Sequence, residues 1–197
     1  MNNNSSNNVA TALSPPLNIV VCEDSVVLPI QQPLLTHLHF GDSSENGRDY
    51  LSIQTELELL GSNLFAQYWF TDQQVVQASY KNIHYAHTAQ MMFGLIQLPC
   101  STGGNFHALA HKAYCEIYEC LQSTSCMHLL RTWNFFPQIT DKDSQRLQQN
   151  RYEVFCHGRL QAMHDRGIKA KVYPAATVIG SHDNNLQIYF LASDSPG

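Results

Sequence analysis

Arg159 falls four residues after Phe155 and four before Met163, in the line of the apolar stripe of a helix. A guanidinium there is partly desolvated and persists only with a partner. Its fork of donors suits a carboxylate held bidentately; a structural salt bridge, or a bond to a strand-end carbonyl, accounts for the same position. Arg151 lies two turns earlier and roughly 80° around the same helix, where it either shares that task or is an exposed helix arginine. Gly158 sits mid-helix, where glycine costs about 1 kcal/mol relative to alanine. Close approach of another backbone, or of a ligand, would favour the missing side chain. A third arginine, Arg131, shares one face of a strand with Trp133 and Phe135 by the period of two, while Leu130, Thr132 and Asn134 share the other. A guanidinium beside aromatic faces could grip an anionic ring, and cation–π packing at a sheet edge explains the same pattern.

His107, His111 and Cys115 recur at one-turn spacing along a helix, the geometry of a metal edge, but neither order nor spacing matches a complete zinc set. They flank an apolar stripe, where ordinary boundary residues sit. Cys115, Cys120 and Cys126 show no C-x-x-C spacing, and no G-x-S-x-G elbow, P-loop or G-x-G-x-x-G is present. The run Ser101-Thr102-Gly103-Gly104-Asn105 either presents helix-start N–H groups to an anion or simply opens a helix.

These side chains need elements to hold them. Residues Met1 to Pro16 are rich in Asn and Ser and too poor in apolar groups to repay ordering, so they are expected to form a loose tail ahead of one domain over 17–197. Strands are expected at Asn18–Pro29, Leu35–Phe40, Leu51–Leu59, Leu64–Phe70, Val75–Tyr85 and Met91–Leu98, with a loop at 41–47. The period then changes: Phe106, Leu109, Ala113, Ile117 and Leu121 place a helix from about Asn105 to Gln122. A strand at Met127–Phe136 follows, then a helix from Lys142 to Asp165 capped by Asp141, striped by Tyr152, Phe155 and Met163. Strands at Lys171–Ile179 and Leu186–Ala192 close the chain. This order predicts an α+β fold, an antiparallel or mixed sheet with both helices packed on one face and the earlier strands extending or covering it.

Composition narrows the functions. The 197 residues carry 11 Lys plus Arg against 16 Asp plus Glu, a net charge of −5, and so lack the basic footprint of a nucleic-acid binder. No window approaches the ~20 apolar residues that span a bilayer, and the start has neither a basic nor an apolar stretch for export. A cytoplasmic protein is expected, its six cysteines reduced.

From Met127 to Arg159 the sequence is specific: Leu129-Leu130-Arg131-Thr132-Trp133-Asn134-Phe135-Phe136-Pro137-Gln138-Ile139, then Gln149-Asn150-Arg151-Tyr152-Glu153-Val154-Phe155-Cys156-His157-Gly158-Arg159. It resembles the chorismatases in this arginine-Trp-Asn-aromatic strand and in the Arg-Tyr, Phe, Gly-Arg helix. Phe93-Gly94-Leu95-Ile96, Ala113-Tyr114, the segment from Pro174 to Gly180 and Ile188-Tyr189-Phe190-Leu191-Ala192 agree with it.

The resemblance implies a domain like the trimeric imine-deaminase, chorismate-mutase-like fold. It also implies hydrolysis of the enol-ether side chain of chorismate to pyruvate and a hydroxybenzoate or a dihydroxycyclohexadiene carboxylate. No metal or cofactor is implied, and Arg159, Arg151 and Arg131 become the expected substrate contacts. Family members consist of two similar halves, with the catalytic acid in the second. This chain looks like the amino-terminal half and ends at Ser195-Pro196-Gly197, so full activity is expected only with a second half-chain or an oligomeric partner. Two other readings stand beside it. One is a stand-alone imine deaminase, whose carboxylate-binding arginine would fall where this chain has Ala176 after Pro174-Ala175. The other is a non-catalytic interaction domain.

Overall fold

The computed structural model describes residues 17–23, 32–40, 51–55, 65–100, 104–143, 146 and 148–196. The expected tail, the loop at 41–47, the ends of three expected strands at 24–29, 56–59 and Leu64, and Ser101-Thr102-Gly103 lie outside them.

Four early strands, β1 (Asn18–Glu23), β2 (Leu34–Phe40), β3 (Ser52–Thr55) and β4 (Phe65–Phe70), form a sheet ordered β1-β4-β2-β3. The rest build a six-stranded sheet from β5 (Val76–Tyr80), β6 (Ile83–His87), β7 (Met91–Pro99), β8 (His128–Phe136), β9 (Ala175–Gly180) and β10 (Asn185–Ser193), ordered β5-β6-β7-β10-β8-β9. All its neighbours are antiparallel except β8 and β9, which α2 (Arg151–Asp165) joins as a crossover. Parallel strands require such a connection.

Both α1 (Phe106–Gln122) and α2 cover one face of the six-stranded sheet, as expected. Phe106, Tyr114, Ile117, Leu121, Val154, Phe155 and Met163 pack there on Ile96, Ile188 and Phe190. On the other face Phe93, Phe135 and Tyr189 meet Leu35, Leu38, Ile53 and Trp69 of the small sheet. The early strands therefore cover the main sheet as a second layer. Being covered twice, β10 is buried without alternation from Leu186 to Phe190.

Three boundaries differ from expectation by more than two residues. The stretch expected as one strand, Val75–Tyr85, is the hairpin of β5 and β6, turned at Lys81, whose φ of 50° is in the left-handed region. Helix α2 begins at Arg151 instead of Lys142, and Asn150 caps it instead of Asp141. The Asn150 side chain accepts from Glu153 N at 2.9 Å while Glu153 accepts from Asn150 N at 2.8 Å. Its stripe consists of Val154, Phe155, Gly158, Ala162 and Met163, with Tyr152 exposed. Finally, β9 starts at Ala175, preceded by a 3-10 turn over Ala170–Val172.

Gly158 explains itself in this packing. A Cβ there would lie 2.4 Å from the His107 carbonyl oxygen and 3.0 Å from Ala110 Cβ, so the glycine lets α1 and α2 meet backbone to backbone.

Candidate functional site

The ends of β7, β8 and β9 and the starts of both helices face the same edge of the main sheet, and a cleft of about 780 Å³ opens between them. Its walls are the start of α1 at Gly104 and Phe106, the loop after β8 from Pro137 to Asp143, and the β9–β10 turn from Gly180 to Asn184. Backbone bonds pin that turn: Cys100 N–H donates to Asn184 O at 2.9 Å and Ser181 N–H to Phe136 O at 3.1 Å.

Arg151, the first residue of α2, stands in this cleft. Its guanidinium carbon lies 4.2 Å over the Phe106 ring, and Nη1 donates to Gln138 Oε1 at 2.8 Å. Its Nε is buried with no hydrogen-bond partner among the described residues. Lys142 and His182 line the same space, giving it a cationic bias, while Asp143 is buried in its wall and accepts from Arg146 N at 2.9 Å. Burial pushes the Cys100 thiol up, partly offset by Arg151.

The first N–H groups of α2 are already used: Arg151 N donates to Asp141 O at 2.9 Å and Tyr152 N to Ile139 O at 3.1 Å. Of the run before α1, Asn105 acts as a plain cap, its side chain accepting from Ala108 N at 3.0 Å. The start of α2 is therefore closed to an anion, and on that side of the cleft anion affinity has to come from side chains.

The other two arginines lie elsewhere. Arg159 sits under the helices, 5.5 Å over the Tyr114 ring, and its Nη2 donates to Pro174 O at 3.2 Å. The strand-end carbonyl, one of the two structural alternatives for this residue, is thus its observed partner. Arg131 is exposed on the opposite face of the sheet, 5.1 Å over Trp133, with Nη2 donating to Thr177 Oγ1 at 3.2 Å. Its strand is second from the edge, between β10 and β9. Arg151 and Arg159 thus bond to different parts of the fold, and Arg131 lies on the other face of the sheet.

The His107, His111 and Cys115 edge resolves into an inter-helix contact. His111 Nε2 bonds Asp165 Oδ2 at 2.7 Å, and Cys115 Sγ is 3.7 Å from the same nitrogen. No group of three or more metal-ligating side chains occurs among the described residues. All six cysteines are free thiols.

A buried polar network escaped the sequence reading. The fully buried Tyr114 donates to Asn134 Oδ1 at 2.7 Å and lies 3.1 Å from Thr132 Oγ1, and Asn134 Nδ2 donates to Thr177 O at 2.8 Å. It ties α1 to β8 and β9. The one available signal was polar Thr132 and Asn134 on the helix-facing side of an otherwise apolar strand.

Comparison with known proteins follows this architecture. The family model described as chorismatase FkbO/Hyg5-like, N-terminal, matches residues 67–192. A chorismatase of Streptomyces rapamycinicus is 31% identical over 129 residues, 66% of this chain and 37% of that protein. A 3-hydroxybenzoate synthase of Streptomyces hygroscopicus is 26% identical over 175 residues, 87% of this chain and 50% of that protein. A chorismatase crystal structure superposes with a TM-score of 0.78 at 22% identity, over 91% of this chain and 54% of that one. The chain thus spans half or less of the length of these two curated relatives. With its family model matched from the fourth strand to the last, the chain belongs to the chorismatase FkbO/Hyg5-like family, as its N-terminal domain.

Proposed function

We propose that this domain serves the hydrolysis of chorismate to pyruvate and a hydroxybenzoate or dihydroxycyclohexadiene carboxylate. The observation that carries the reading is the family match over residues 67–192, which takes in the Arg131 strand and the Arg151–Arg159 helix. The cleft at Arg151 supports it. Substrate carboxylates are anions, and Arg151, Lys142 and His182 converge there on a floor that includes Phe106. Arg151 is the carboxylate contact of this proposal. Its buried Nε has no partner among the described residues and could take a second acceptor.

Enol-ether hydrolysis begins with protonation of carbon, which requires a positioned acid. Asp143, the carboxylate of this cleft, is buried in the wall with a loop to hold. The proposal therefore assigns the acid to a second body, supplied by further sequence or by another chain, with residues 17–197 as one domain. It uses no metal or cofactor, and it places the reaction in the cytoplasm, in keeping with six free thiols.

Pyruvate release from chorismate, followed by lactate dehydrogenase coupling, tests this. The chain alone is expected to be silent and to recover turnover when mixed with a separately expressed C-terminal half of a relative. In the active mixture, Arg151→Lys should lower kcat/KM by roughly tenfold or more through loss of the fork. Turnover by the chain alone would overturn the assignment of the acid; silence of every mixture would overturn the activity.

A further inference from the structure

At the opposite end of the helix layer a second pocket, of about 370 Å³, is lined by Tyr118, Leu129, Ile168, Tyr173 and Pro174, with Lys171 at its wall. Tyr118 projects from α1 and is 7% exposed, yet its hydroxyl is buried with no hydrogen-bond partner among the described residues. Arg159 stands beside it. The guanidinium reaches the Pro174 carbonyl, which belongs to the pocket wall, and its own Nε is buried and without a partner among the described residues. Burial drives the Tyr118 hydroxyl upward, with Arg159 partly offsetting it, so the phenol stays a proton donor.

Two buried donors without acceptors are costly. A buried polar group left unsatisfied costs about 1–3 kcal/mol, so native folds seldom keep one without a use. Both donors lack the same thing, an acceptor, and an anion supplies two. No acidic residue lines the pocket; its charged member is Lys171, and His128 lies on the same wall. The remaining wall, from Leu129, Leu130, Ile168, Val172 and Tyr173, is apolar. A volume near 370 Å³ falls at the small end of ligand pockets.

We propose that this pocket is a second binding site, distinct from the Arg151 cleft, for a small monocarboxylate with a compact apolar body, its carboxylate accepting from Tyr118 and Arg159. The occupant is recognised by shape and by one charge. Tyr118 and Arg159 orient it; the apolar wall covers its body. This site does not depend on chorismate hydrolysis, and its test uses neither chorismate nor pyruvate.

Sodium benzoate is the probe, titrated into the purified 197-residue chain and followed by NMR. Saturable binding is expected, with benzyl alcohol, similar in size but uncharged, binding at least tenfold more weakly. Tyr118→Phe and Arg159→Lys should each weaken benzoate at this pocket by roughly tenfold, the scale of one hydrogen bond to a charged group, whereas Arg151→Lys should leave the benzoate-induced shifts of Ile168 and Val172 unchanged, since benzoate in the Arg151 cleft is reported separately by Ile139. Tyr118→Phe should also keep or raise Tm, since the hydroxyl satisfies nothing in the fold. Equal binding of benzyl alcohol, loss of the Ile168 and Val172 shifts in Arg151→Lys, indifference of those shifts to Tyr118→Phe, or a Tm lowered by that variant would each overturn the proposal.

Discussion

Strand β8 divides its duties between two faces that are stabilised in different ways. Toward the helices it offers Thr132 and Asn134, and these are stable there because Tyr114 and the Thr177 carbonyl complete their hydrogen bonds. Toward the small sheet it offers Trp133 and Phe135, which stack on Tyr189 at 5.0 and 5.3 Å, with Trp69 edge-on to Trp133 at 6.0 Å. The aromatic face relies on area, so its parts add; the polar face relies on complete pairing, so its parts stand or fall together.

The largest test of that contrast compares apolar deletions on each side. Phe155 and Phe93 are both fully buried, and Phe155→Ala and Phe93→Ala should each cost about 3–5 kcal/mol in urea denaturation. A cost below about 1 kcal/mol for either would show that its layer is not part of the cooperative core. Next in size is Asn134→Leu, which removes the acceptor of the Tyr114 hydroxyl and a donor to the Thr177 carbonyl, leaves Thr132 Oγ1 as the hydroxyl's neighbour, and should cost about 1–3 kcal/mol. Adding Tyr114→Phe to it should cost much less than Tyr114→Phe alone. Strict additivity would mean that no network exists. The smallest effect belongs to Arg131→Gln. This exposed cation over Trp133 should contribute less than about 1 kcal/mol, and a larger loss of Tm would give Arg131 a structural role that its surroundings do not suggest.

Much of the architecture was legible. The change of period at Phe106 marked α1, the alternation in β8 marked its two faces, and Gly158 signalled a close approach before the partner backbone at His107 was known. The errors cluster where two local signals compete. Asp141 and Asn150 are both good caps, and the choice fell to Asn150 because Glu153 completes a capping box and the carbonyls of Ile139 and Asp141 take the first N–H groups of α2. The shorter helix leaves the segment after β8 as loop, and that loop walls the larger cleft. Likewise, the continuous run from Val75 to Tyr85 hid a hairpin, since only the backbone at Lys81 shows the left-handed turn.

The candidate sites were less legible than the fold, for a reason of scale. Helical spacing correctly put Arg159 near the apolar stripe and Arg151 two turns away, because 3.6 residues per turn is a property of the local chain. Which neighbours each guanidinium meets depends on residues far away in sequence: Gln138 and Phe106 for Arg151, Pro174 and Tyr114 for Arg159. The unpartnered Tyr118 hydroxyl carries no sequence signal at all, since a tyrosine on an apolar helix face reads as core. By itself the sequence determined the family motifs, the charge balance, the succession of early strands, helix, strand, helix and final strands, and the inward faces of α1 and β8. The tertiary structure alone decided that the early strands form a second layer, that three similar arginines stand in three separate places, and which buried donors lack acceptors among the described residues, because hydrogen-bond satisfaction is settled between segments and not along them.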